Sequence, residues 1–183
     1  VKLAAMTSDQ AGRLIGGVFG LVFVVVNAGA LPSIVSVVLR VFAIAVFLGL
    51  FAVLRCARIR LPPSTVPGTN FGRRYWLVVV IEAVIGLAGI AVINGVLGTP
   101  RATVAWIALV VGLHFFGLAT VWRRPAFRWL GTAMTTCGAM GLILATYRSS
   151  AATIAVIAGV APGILLLGSA WWGIHRAAQR ATP

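Results

Sequence analysis

Five polar side chains interrupt long apolar stretches of this 183-residue sequence: Arg40, Glu82, Asn94 and His114, with Asn27 nearer the end of its stretch. Polar groups inside such stretches are expensive to bury and mark pathways, relays or counter-charges by default. Glu82 is the only acid in any apolar run, eight residues past Arg74. At helical rise it lies roughly 12 Å inside its run. His114 stands nine residues before Arg123, which gives roughly 13 Å from the same side. Gly98 divides the two runs, and Glu82 and His114 are each sixteen positions from it. An antiparallel helical hairpin therefore sets both residues at nearly one level, where inward-facing side chains would touch. A Glu–His pair there can relay a proton or hold a cation. It can equally be a neutral hydrogen-bonded pair that sets helix register.

Arg40 comes eight residues after Pro32. Arginine keeps its charge and must pair or reach water. The sequence leaves two routes open: the chain snorkels outward, or it points into a vestibule with Asn27 and Asn94, toward Glu82. Haem ligation is a competing use of His114. The other histidine, His175, lies in the tail, too far away for a two-histidine site within one chain. No cofactor is expected. Nucleophilic catalysis has little support, since no Ser/His/Asp set, H-E-x-x-H or phosphate loop is present. Thr132, Thr135, Thr136 and Cys137 read as interhelical contacts rather than a catalytic strip. Cys56 and Cys137 have no neighbours at metal-ligand spacing and read as free thiols.

The elements that position these residues follow from composition. Hydrophobic residues make up 61% and charged residues 9%, against about a quarter charged in a soluble domain. A crossing helix needs about 20 apolar residues. Six runs approach or reach that length, at residues 14–30, 34–54, 75–96, 102–121, 129–147 and 151–173. The first is followed by another apolar run, so it reads as a retained helix rather than a signal peptide. The fold class is all-α, a single polytopic membrane domain over residues 1–183. Residues 55–74, basic and proline-containing, read as a loop on anionic headgroups or a docking site for a cytoplasmic partner.

Orientation comes from the basic residues. Twelve of the fifteen Lys and Arg fall on the side of the termini: Lys2, Arg13, Arg55, Arg58, Arg60, Arg73, Arg74, Arg123, Arg124, Arg128, Arg176 and Arg180. Arg101 and Arg148 fall on the other side. This bias predicts both termini in the cytoplasm, in a bacterial inner membrane. Trp76, Trp122, Trp129, Trp171 and Trp172 fall near the terminal side, and Trp106 and Tyr147 near the other, as interfacial anchors do. The net charge of +13 is accounted for by topology and anionic lipid, not nucleic acid.

Gly12, Gly16 and Gly20 form a double G-x-x-x-G, and Gly159 and Gly163 form another. Such stripes serve packing within a bundle or pairing with a second copy or another membrane subunit. Pro162 should kink the last helix. The halves show no self-similarity beyond hydropathy.

The segments Tyr75-Trp76…Glu82 and Trp106…Gly112-Leu113-His114-Phe115-Phe116 resemble small uncharacterised bacterial six-span integral membrane proteins. The resemblance covers residues 75–147. It implies six spans and no known activity, and it carries over no functional residue. Three readings follow: a proton-coupled transporter or channel-like protein built on Glu82 and His114, a non-catalytic subunit or assembly factor of a larger complex, or an intramembrane enzyme or cofactor protein using His114.

Overall fold

The computed structural model describes residues 8–60 and 72–179. Every regular element among them is helical: α1 (Ser8–Asn27), α2 (Ser33–Arg60), α3 (Arg73–Ala91), α4 (Thr103–Trp122), α5 (Ala126–Thr146), α6 (Ala151–Ala155) and α7 (Ala161–Gln179). Six helical segments are long and apolar enough to cross a membrane; α6 and α7 jointly form the last. The described residues are thus all-helical, with six candidate membrane crossings by length and composition.

Helix ends depart from the expected spans where charge rather than breakers decided the reading. α2 runs on to Arg60, so residues 55–60, expected as loop, are helical. Arginine is a good helix former, and no proline intervenes before Pro62. The rest of the basic segment, residues 61–71, lies outside the described residues. Arg55 places its guanidinium 4.7 Å from the Phe51 ring centre, one turn back.

Two π turns widen the spans, at Val92–Val96 after α3 and Val156–Val160 before α7. The second sits just ahead of Pro162, which is fully buried. Proline has no N–H for the carbonyl four residues back, and its ring crowds that carbonyl. A wide turn there gives that carbonyl room.

Lipid supplies no hydrophobic drive between helices, so close packing of small residues must hold them. Gly20 and Gly163 meet where α1 crosses α7: a Cβ on Gly20 would lie 2.8 Å from the Gly163 carbonyl. Gly159 faces Asn27. Gly12 and Gly16 have open space where a Cβ would stand, so only part of the first stripe closes a helix pair. The most extensive helix pair is α4 on α5. There a Cβ on Gly138 would meet the Leu109 backbone nitrogen at 2.4 Å, and one on Gly112 the Thr135 nitrogen at 2.5 Å. Phe23, Ala108, Met134 and Leu166 form the core where α1, α4, α5 and α7 converge.

α2 packs on α1 and reaches α7, whereas α3 packs on α4. These two helices are outliers held by different neighbours. No described residue of α3 is fully buried. Asp9 and Arg124 meet, and Arg13 lies beside Gly173. The start of α1, the α4–α5 turn and the end of α7 therefore share one face, called here the terminal face.

Candidate functional site

The α3–α4 seam is built by small residues on α3. Trp106 of α4 lies over Gly89, whose added Cβ would fall 2.1 Å from the indole, and its Nε1–H donates to the Gly86 carbonyl at 3.2 Å. Val78 packs onto Gly117 nearer the terminal face. Between these contacts Glu82 and His114 meet: Nδ1 lies 2.7 Å from Oε2. The side chains are 12% exposed for His114 and 21% for Glu82. Nδ1 itself is buried and has no aligned hydrogen bond. The distance therefore records a close electrostatic contact in which the ring does not point its N–H squarely at the carboxylate.

An aromatic lane leads from the pair to the terminal face. His114 stands edge-on to Phe115 at 5.9 Å, and Phe115 stacks on Phe127 at 5.8 Å. Phe127 leans on Trp122 at 5.3 Å, and Trp122 stacks on Tyr75 at 5.7 Å. Tyr75 stands seven residues before Glu82 on the same helix. Sequence reasoning treated Tyr75 as the edge of a span. Its two-turn spacing from Glu82 was the signal that placed both on one face.

The other polar candidates do not join this pair. Arg40 leans toward the Pro32 end of α2 and donates from Nε to the Val25 carbonyl at 3.0 Å, with its guanidinium against Gly29. It thus sits at the C-terminal end of α1, where carbonyls lack intrahelical donors and the helix dipole favours a cation. The vestibule of Arg40 with Asn27, Asn94 and Glu82 is not what the structure forms. Asn27 donates to Phe23 O at 2.7 Å, one turn back. Asn94 donates to Ile90 O at 3.0 Å and accepts from Thr103 Oγ1 at 3.2 Å, pinning the far end of α3 to α4. Each amide satisfies itself locally, which spacing alone could not exclude.

Two tryptophans expected as interfacial anchors also pack between helices. Trp106 bonds α3 as described, and Trp171 donates to Val46 O at 3.2 Å while covering Gly49. Trp76, Trp129 and Trp172 remain exposed. Thr132 bonds back to Arg128 O in its own helix, and the buried Thr135 hydroxyl has no partner among the described residues.

Two clefts open at the ends of the bundle. One, of about 450 Å³, is lined by residues 98–101, Ala145, Thr146 and Arg148. The other, of about 420 Å³, is lined by Ala119, Thr120, Arg123, Arg124, Pro125 and Arg128. Neither is lined by Glu82 or His114. Among the described residues no three His, Cys, Asp or Glu side chains group to hold a metal. Fold and site together define a helical chain with six candidate membrane crossings and, among the described residues, one acid–imidazole pair between two of them. In comparison with known proteins, no family model, no curated protein and no solved structure matches this chain.

Proposed function

We propose that this chain is a small proton-coupled transporter or channel-like protein of a bacterial inner membrane, with both termini cytoplasmic and Glu82–His114 as its protonatable core. The observation that carries the reading is the 2.7 Å approach of the two groups on the seam of α3. Burial disfavours a lone charge on either group, while pairing favours charge on both. One shared proton leaves matched charges or two neutral partners, and α3 stays seated on α4. Adding a second proton, or removing the first, leaves an unmatched charge on the seam and loosens α3. Glycine-lined helices slide easily, so protonation would bias the position of an outlying helix. The basic terminal face supports the orientation.

A second reading rests on a different observation. The outer side of α3 exposes Leu77, Val80, Ile81, Val84 and Leu87, with no α3 residue buried. That supports a non-catalytic subunit that lays α3 against another membrane protein.

Proteoliposomes loaded with a pH-sensitive dye separate the two. They are challenged in turn with small cations, anions and neutral metabolites. The transporter reading expects at least one solute to move protons through the wild type and not through Glu82→Gln of equal melting temperature. If no solute moves protons above empty liposomes, and native mass spectrometry of gently extracted protein retains a stoichiometric second polypeptide, the subunit reading replaces it.

A further inference from the structure

The chain has two acidic side chains, Asp9 and Glu82, and the fold commits both. Glu82 faces His114. Asp9 receives Nη2 of Arg124, which lies 3.1 Å from each carboxylate oxygen. Among the described residues neither Arg123 nor Arg128 has a carboxylate within ion-pair distance, and both line one cleft of about 420 Å³ together with Arg124. Arg124 is balanced by Asp9, so Arg123 and Arg128 leave the concavity with a net positive charge.

The cleft is also shaped for an anion. Arg123 ends α4 in the left-handed conformation, at φ 51°, where glycine or asparagine is the easier choice. This bend turns the chain at once into Pro125 and the start of α5. The positive end of that 21-residue helix borders the cleft; the Phe127 and Arg128 amides donate to the Arg124 and Pro125 carbonyls, so the helix contributes its dipole field rather than a row of open N–H groups. Asp9 fixes Arg124 from behind and ties the turn to α1. Thr120 contributes shape alone, because its hydroxyl donates to the Phe116 carbonyl at 3.0 Å. Arg123 and Arg128 are exposed and free to close on a ligand. Planar guanidinium forks match phosphate oxygens.

We infer that this cleft at the α4–α5 turn binds a phosphate group, through Arg123 and Arg128 with Arg124 as an oriented third charge. The phosphate belongs to a phospholipid headgroup or to a free phosphate ion. The inference is independent of the Glu82–His114 reading.

The test uses the full chain, delipidated in a neutral detergent, with retention read by native mass spectrometry. Phosphatidylglycerol and inorganic phosphate are the two probes. Arg123→Gln/Arg128→Gln removes two charges from the cleft, and Arg101→Gln/Arg148→Gln removes two from the opposite face as a control. The expected result is a loss of about tenfold or more in retention of one probe for the first variant, as for loss of two charge-assisted contacts, and less than about twofold for the control. Arg123→Lys/Arg128→Lys should recover part of the binding if the charges act at the site, whatever the glutamine variant does to the fold. Retention of phosphatidylglycerol alone assigns the group to a lipid headgroup, and retention of inorganic phosphate assigns it to the free ion. Equal loss in both glutamine variants, or retention of neither probe by the wild type, overturns the inference.

Discussion

His114 Nδ1 lies 2.7 Å from Glu82 Oε2 across a seam in which α3 has no other charged partner among the described residues. The two groups are thus each other's electrostatic environment. Replacing one leaves the second buried beside apolar neighbours, and replacing both removes the problem. Glu82→Ala and His114→Ala should each lower stability in detergent, while the double variant loses less than the sum. The coupling should fall within about 0.5–3 kcal/mol, the span seen for groups in direct contact. Additive losses in a thermal melt would show that the pair does not interact.

The glycines divide into those against a neighbour and those facing open space. Gly138→Val drives a side chain into the Leu109 backbone, where a Cβ alone would sit at 2.4 Å. Overpacking of this kind costs about 1–3 kcal/mol or more, and here the obstacle is backbone that cannot step aside. Gly16→Ala meets nothing within 4 Å and should leave the melting temperature unchanged or slightly raised. Comparable losses in the two variants would mean that Gly16 is covered by another chain in the membrane.

Gly89 seats Trp106. Gly89→Ala should destabilise by about 1–3 kcal/mol through displacement of the indole. Trp106→Leu clears the space, so adding Gly89→Ala to that variant should cost little. A full penalty in the Trp106→Leu background would place the strain in α3 itself.

Arg40 and Gly29 form a similar lock. Arg40→Gln removes the donor to Val25 O, and hydrogen bonds from charged groups contribute about 1.5–3 kcal/mol. Gly29→Val should act through the same contact, because its Cβ would lie 2.9 Å from Arg40 Nη2. Non-additive losses in the double variant, read by chemical denaturation in detergent, are the expected result. Strict additivity would separate the two sites.

Six apolar runs, the shared level of Glu82 and His114, and the crossing glycines Gly20, Gly159 and Gly163 were legible in the amino-acid order. Run length, helical rise and small-residue spacing are local properties. They survive whatever the helices later do, so length and composition alone determined an all-helical chain with six candidate crossings. Partner choice is not local. Arg40 could snorkel outward or join the asparagines, and only the docking of α2 on α1 set its Nε against the Val25 carbonyl. That Trp106 and Trp171 would also pack over glycines on α3 and α2 could not be read from their positions in the chain. The α4–α5 contact went unread because its glycines follow helical faces rather than a G-x-x-x-G repeat. The anion cleft needed Asp9 and Arg124, 115 residues apart, to meet and leave two arginines without a carboxylate. Such pairings depend on which faces pack together, and that is decided by the fit of all the helices at once.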